Sequence, residues 1–360
     1  MTVLDLEERV PADHPLRSIK KNVDEVLRRM EPVFEEAYSE GGRPSIPPEQ
    51  LLKSRILMAL FSVRSERMFC EQLDYNLLWL WFLDRKAEEG SFDHSIFAKN
   101  YERLLNEEVA GLFFAEVYEL SREGGWTSDE HFSADGTLIE AWASMKSFRP
   151  REEQADDEND KGNGSKGWKP SNPDVDFRGQ KRSNETHCSR TDPEAVLYRK
   201  GPGKESKLCF GAHAIMENRN GLLAALDIHN PIAESEATVS VRQLDDLESR
   251  GQGWACTVGG DKGYHTKAFV RECRERGVRP HVAQFKGRRT PGLDGRTTNS
   301  PGYAVSQRIR KRIEEIFGWV KTVGGFRKSR YRGRGRTQAS ASFVGASFNL
   351  VRLANLEAVG

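Results

Sequence analysis

The sequence predicts an α/β fold: a mixed five-stranded sheet flanked by helices, preceded by an all-helical N-terminal domain. Three observations carry that expectation. Roughly the first 125 residues space their apolar positions by three and four. From His131 onward the pattern changes to strand-like runs, and the later runs alternate with helical segments. The expected domains are residues 1–125, all helical, and residues 126–350, the sheet domain.

Taken in order, Leu27, Met30, Val33 and Phe34 recur at helical spacing. Arg43-Pro44-Ser45-Ile46-Pro47-Pro48 breaks the chain, and Pro48-Glu49 suits the first turn of a core helix covering Leu51 to Leu60. Helical pattern continues through Ser65-Glu66-Arg67 to Trp79-Leu80-Trp81-Phe82, and Asp93 offers a cap for a helix through Tyr101 to Leu105. These short helices suit a helix-turn-helix-like module or a plain bundle equally. Phe132 to Trp142 reads as the first strand. Leu208 to Met216 and Leu222 to Ile228 read as a hairpin around Asn220-Gly221. Then come a helix from Glu234 to Leu247, a short strand at Cys256-Thr257-Val258, and a helix from Lys267 to Arg276. A strand from Pro280 to Phe285 and a helix from Val305 to Lys321 complete the pattern. Three antiparallel strands followed by helix-alternated parallel strands is the order of the ribonuclease H-like fold. Between the first two strands, at about 149–190, a polar stretch rich in Asp, Asn, Gly, Lys and Pro is expected to be a mobile insertion.

Composition narrows the function. No apolar run approaches the ~18 residues a membrane helix needs, and the acidic Met1 to Glu8 is unlike a signal peptide, so a cytoplasmic protein with no membrane partner is expected. Five scattered cysteines without a CxxC pair point away from disulfides and structural zinc. The net charge of +1 hides an asymmetry: Arg279 to Arg336 carries 16 Lys or Arg against Asp294, Glu314 and Glu315. A basic C-terminal third is the footprint of a polyanion partner.

Three acids fall where such a fold converges. Asp135 lies in the first strand, Asp261 follows the fourth strand in Gly260-Asp261-Lys262-Gly263-Tyr264, and Glu314 sits in the last helix. Hard oxygen ligands with open positions suit Mg²⁺, with Mn²⁺ as a substitute, and two such ions serve in-line phosphoryl transfer. Taken singly, Asp135 reads as a turn residue and Glu314 as part of a charged helix face paired with Arg310. The combination carries the assignment. No histidine pair has metal-binding spacing, although His131, His213 and His265 fall near strand ends, and neither Gly259-Gly260 nor Gly324-Gly325 completes a phosphate loop.

These residues resemble the insertion-sequence transposases of the IS4/IS5 type, within the DDE class. That signature runs tyrosine, two residues, arginine, three residues, glutamate, six residues, lysine. Arg310, Glu314 and Lys321 match its spacing, while Gln307 stands at the tyrosine position. Asp135-Gly136-Thr137 and Asp261-Lys262-Gly263-Tyr264 are similar to the two aspartate motifs. Arg64 to Arg67, Leu77 to Trp79 and Phe92 to Ser95 resemble the helical N-terminal domain of IS5-type enzymes. The resemblance implies Asp135, Asp261 and Glu314 as catalytic metal ligands. It implies double-stranded DNA partners, both terminal inverted repeats and target DNA, with cleavage and strand transfer by at least a homodimer. Arg310, Lys321, Gln307, Arg308, Lys311, Arg327, Lys328 and Arg330 are the expected DNA contacts, the Arg/Gly-dense 327–336 stretch acting as a flexible clamp. A nuclease of the same fold without strand transfer, or a non-catalytic DNA-binding regulator, is the alternative.

Overall fold

The computed structural model describes residues 5–37, 46–104, 106–151, 182–201, 203–251, 256–285, 287 and 292–359. Helices fill the first part: α1 (Leu6–Arg9), α2 (Leu16–Ala37), α3 (Pro48–Leu60), α4 (Glu66–Leu73), α5 (Leu77–Phe82), α6 (His94–Leu104) and α7 (Glu107–Glu123). Local chemistry sets their starts. Pro48 occupies the first turn of α3, where a missing N–H costs nothing. The Ser65, Asn76 and Asn106 side chains each accept a backbone N–H at the start of α4, α5 and α7. Trp79 stacks on Phe69, and Phe69 on Phe97, at ring-centroid distances of 5.3 and 5.6 Å, which locks α4, α5 and α6 together.

The sheet begins with β1 (His131–Glu140) and β5 (Lys207–Glu217), which pair antiparallel. β6 (Leu223–His229) lies antiparallel on the far side of β5, and β7 (Thr257–Gly260) lies parallel to β1. β8 (Arg279–Val282) is parallel to β7. The order β6-β5-β1-β7-β8, with that change from antiparallel to parallel, is the ribonuclease H-like arrangement. A short β4 (Val196–Tyr198) adds to the other end of β5's outer edge, a sixth strand the sequence pattern does not reveal. At the β5–β6 turn Gly221 takes φ +74°, the conformation that favours glycine there.

Of the expected mobile insertion, residues 152–181 lie outside the described residues. Its flanks are tied together, because β2 (Phe148–Pro150) pairs antiparallel with β3 (His187–Ser189). The second half contains α8 (Glu236–Ser249), α9 (Lys267–Glu275), α10 (Gly295–Thr298), α11 (Pro301–Ile309), α12 (Ile313–Thr322) and α13 (Arg334–Glu357). The single helix expected from Val305 to Lys321 is thus two helices, joined by a tighter 3₁₀ turn at Arg310–Arg312.

No periodic signal in the sequence marks α13, yet it lies at the centre of the molecule. It packs against α7, β6, α3 and α2. Its buried positions run all round, through Ala339, Ala341, Phe343, Ala346, Asn349, Leu350 and Leu353. Gly345 permits the approach: a Cβ there would lie 3.0 Å from Phe114 of α7 and 3.1 Å from Leu223 of β6. Two α13 amides also satisfy the open edge of β6. Asn349 accepts from Leu223 N and donates to Leu223 O, both at 2.8 Å. Gln338 accepts from Ile228 N at 2.6 Å and donates to Leu226 O at 2.8 Å. Backbone groups so paired are not available to recruit another strand there. Consequently the N-terminal helices and one face of the sheet share a continuous apolar core. Among the described residues no helix is long and apolar enough to cross a membrane.

The other face is fixed by a buried polar chain. His213 of β5 meets Gln243 of α8 through Nδ1 at 2.6 Å and the Tyr264 hydroxyl through Nε2 at 2.5 Å. Burial pushes the His213 imidazole down from 6.5 to about 3, so it is neutral at physiological pH. Stability contributed by such a group is present above pH 6.5 and lost as pH falls through that value toward about 3. Urea unfolding between about pH 6.5 and 4 should therefore lose stability less steeply in His213→Gln, by up to about 1.4 kcal/mol per pH unit, the linkage value for one proton. An unchanged slope would contradict the neutral buried state; His131, His229 and His281, also held low by burial, keep their share in both proteins.

Candidate functional site

Parallel pairing of β1 and β7 sets Ser133 beside Gly259. Two residues further along the strands come Asp135, in mid-β1, and Asp261, directly after the end of β7. Neighbouring strands lie about 4.8 Å apart, so one register places both acids on one stretch of the sheet. Glu314 is exposed in the first turn of α12, a helix that packs against β1. Burial raises the carboxyl of half-buried Asp135 above its ordinary value; the backbone N–H of Gly136 and the Lys200 ammonium oppose the rise, and the Asp261 and Glu314 charges add to it. All three acids therefore share one electrostatic neighbourhood.

Both aspartates are held by local backbone. Asp135 Oδ1 accepts from Gly136 N at 2.8 Å, and Asp261 Oδ1 accepts from Gly263 N at 2.6 Å while capping the 3₁₀ turn Lys262–Tyr264. Among the described residues no three His, Cys, Asp or Glu side chains already stand as a ligand set. The donor chemistry nevertheless fits a hard divalent cation: carboxylate oxygens, mutually repelling, with two of the acids each accepting a single backbone N–H hydrogen bond.

The glycines around these acids are required by contact. A Cβ on Gly260 would lie 2.9 Å from the Tyr264 ring, and one on Gly263 would lie 2.9 Å from Asp261 Oδ1. The Gly-Asp-Lys-Gly-Tyr segment thus folds tightly over its own tyrosine, which is anchored to His213. Of the histidines near strand ends, His213 belongs to that buried chain. His131 meets the Ser306 hydroxyl at 2.6 Å, as does His281 from β8, which joins β1 and β8 to α11. His265 accepts from Phe285 N at 3.3 Å. These are structural positions.

The basic residues divide into groups. Arg310 packs its stem over Gly259 and donates from Nε to Gln307 Oε1 at 3.0 Å. Gln307 in turn donates to the His281 carbonyl. No Arg310–Glu314 ion pair occurs among the described residues, so the i,i+4 surface pair is not what places Arg310. Lys321 turns to β1 and donates to the Thr137 hydroxyl at 2.5 Å; burial, with Lys200 and Arg327 nearby, lowers its ammonium below the ordinary value. Arg308, Lys311, Arg327 and Lys328 are exposed. Arg330 is not brought to the site. It is half-buried and donates to the Val63 carbonyl at 3.0 Å, and its neighbour Tyr331 donates to Glu66 at 3.0 Å and accepts from Arg55 at 2.7 Å. Part of the stretch expected to be a flexible clamp is therefore docked on α3 and α4. Sequence reasoning missed Lys200, whose Nζ donates to the Gly136 carbonyl at 2.6 Å, and Glu236, which lies against Gly136. Neither stands in a motif, and only the fold brings them to Asp135.

Comparison with known proteins gives two family matches. The family Transposase domain (DUF772) matches residues 4–103, and the family Transposase DDE domain matches residues 180–350. Asp261 and Glu314 lie within the second match, and Asp135 lies between the two. No curated protein matches the chain. Among solved structures, the chain is similar to the Mos1 transposase paired-end complex with left transposon end, at 9% identity over 83% of this chain and 87% of that one. It is also similar to the Mos1 Strand Transfer Complex, at 8% identity over 88% and 81%. The TM-scores of 0.21 and 0.22 are low, and the fold assignment rests on the strand order instead. DDE transposases generally depend on a divalent metal. With its helical N-terminal region and its ribonuclease H-like domain each matched to a transposase family, the chain belongs to the DDE-type insertion-sequence transposases.

Proposed function

We propose that this transposase, of the IS4/IS5 type, holds two Mg²⁺ ions, or Mn²⁺ in their place, with Asp135, Asp261 and Glu314, and uses them to cut and join DNA at the terminal inverted repeats of its own element. The observation that supports the reading is that Asp135 and Asp261 each follow the paired Ser133 and Gly259 by two residues, with the charges of Asp261 and Glu314 acting on Asp135. When bound, such a pair of ions activates the attacking water or 3′-hydroxyl and stabilises the leaving oxygen. The chain's own residues do the rest. Asp135 and Asp261 are aimed by the Gly136 and Gly263 amides, and the buried Tyr264–His213–Gln243 chain keeps the Asp261 turn rigid. Lys321 and Lys200, crowded beside Thr137 and Gly136, supply positive charge next to the acids, where a scissile phosphate would lie. Exposed Arg308, Lys311, Arg327 and Lys328 continue that charge toward flanking DNA. Juxtaposing two transposon ends calls for at least a homodimer.

Strand transfer by purified protein with Mg²⁺, on labelled DNA carrying the repeats that flank its gene, tests the reading. Asp135→Asn, Asp261→Asn and Glu314→Gln should each lower joining by at least about a hundredfold, the upper end of losses seen for outer-sphere partners of metal ligands, with DNA binding retained. Activity surviving Glu314→Gln would move the role to Glu315. Cutting without joining would favour a nuclease, and binding without metal-dependent cutting a regulator.

The two classes of cation should separate under salt titration of DNA affinity. Ala substitution of Arg308, Lys311 or Arg327 should reduce the slope of log affinity against log salt by about 0.9 for each phosphate no longer neutralised. Arg330→Ala should leave that slope unchanged and lower the melting temperature instead, because its partner is the Val63 carbonyl. A slope change in Arg330→Ala would show that this guanidinium leaves its dock to meet DNA.

A further inference from the structure

The edge of β1 that β7 leaves open is taken up again at its far end. After α12 the chain returns there: Glu140 N donates to the Arg327 carbonyl at 3.1 Å, and Ser329 N donates to the Glu140 carbonyl at 2.7 Å. Lys328 thereby pairs in parallel beside Glu140. This bridge holds two exposed cations in place, Arg327 and Lys328. Neither has a carboxylate partner among the described residues, and the Glu140 carboxylate is engaged by Lys207 at 2.6 Å. Between Asp135 and the bridge Lys321 bonds to Thr137, and the charge of Arg327 acts on it. Two residues past β1 stands Trp142, the one exposed tryptophan among the described residues, at 47%. Its flanking anchors Ala141 and Phe148 are buried, and Lys328 Nζ lies 5.7 Å from the centre of its ring.

We propose that Trp142 stacks on an unpaired base of the DNA strand that lies along this row of cations, a few nucleotides from the scissile phosphate. The proposal rests on the reading of those cations as DNA-facing. A single exposed apolar side chain is ordinary on a protein surface. An exposed indole that ends a row of cations without carboxylate partners is the arrangement that takes a single strand: the charges follow the backbone and the ring takes a base. A paired duplex hides the faces of its bases, so only an unpaired base offers one to the indole. The reach agrees. Asp135 and Glu140 are five residues apart along β1. At ~3.3 Å each that is roughly 17 Å, or about five phosphates of a duplex strand at ~3.4 Å apiece. Opening base pairs beside the cut costs free energy, and stacking on Trp142 offsets part of it.

The test is a fluorescence-anisotropy titration of the full chain with three labelled DNAs carrying the terminal repeat. One is fully paired, one has about five unpaired nucleotides in the flank, and one has the same opening inside the repeat end. The wild type is expected to bind one of the opened DNAs at least about fivefold more tightly than the paired one, the lower end of what base–aromatic stacking contributes. Trp142→Phe should keep that preference and Trp142→Leu should lose it, while both bind paired DNA as the wild type does. Both variants keep an apolar side chain, so the difference between them reads the ring. The salt slope should be the same in all three proteins, since stacking neutralises no phosphate. A preference absent from the wild type, retained in Trp142→Leu or lost equally in both variants would overturn the proposal and leave Trp142 as a cover for the Lys328 stem. So would an equal loss on all three DNAs or a lower salt slope in Trp142→Leu, since the indole would then act through Lys328. Paired DNA bound by the wild type in these cases keeps the DNA-facing reading; no binding of any DNA would overturn both.

Discussion

Everything proposed for this transposase depends on one backbone constraint, the parallel pairing of β1 with a strand much shorter than itself. β1 runs from His131 to Glu140, but β7 ends at Gly260. Beyond Gly259 the sheet opens, and Asp135 and Asp261 border the opening. Parallel strands in such sheets present their carboxyl ends as crevices where side chains from several elements gather. Here Asp135 comes from mid-strand, Asp261 from a strand end and Glu314 from α12. Burial raises the Asp135 carboxyl, and the charges of Asp261 and Glu314 add to that rise.

Rigidity around that opening is supplied from both faces. On one, His213, Gln243 and Tyr264 form a fully satisfied buried polar chain, which fixes α8 and the Asp261 turn relative to β5. On the other, α13 presses small residues against α7 and β6 and pairs its amides with the β6 backbone. Leaving Leu223 N and O without the Asn349 side chain would cost about 1–3 kcal/mol for each buried group. Since α13 also packs on α2 and α3, the N-terminal helices and the sheet share one core, and Arg55, Glu66 and Tyr331 extend that contact through polar groups.

Much of the sheet was legible in the sequence because its signals are local. Asn220-Gly221 marks the hairpin, apolar runs mark β5 and β6, and Gly-Gly-Asp marks the end of β7. Motif spacing proposes the acids Asp135, Asp261 and Glu314, and the charges of the latter two act on Asp135. What the sequence hid has physical reasons. α13 buries small and polar residues among its apolar ones on every side, so it shows no apolar stripe of helical period. β4 is three residues long, too short to show alternation. Lys200 and Glu236 reach Asp135 only through long-range packing, and nothing adjacent to them in sequence signals it. Arg330 looks like its exposed neighbours when charges alone are read; its inward turn depends on a carbonyl 267 residues away.

The most direct test of this metal site is the anomalous scattering of Mn²⁺ in crystals of the protein bound to its transposon-end DNA. The Mn²⁺ peaks are expected in the opening beyond Gly259, ligated by Asp135, Asp261 and Glu314. Peaks ligated by other residues, or a bound scissile phosphate away from Asp135 and Asp261, would contradict it.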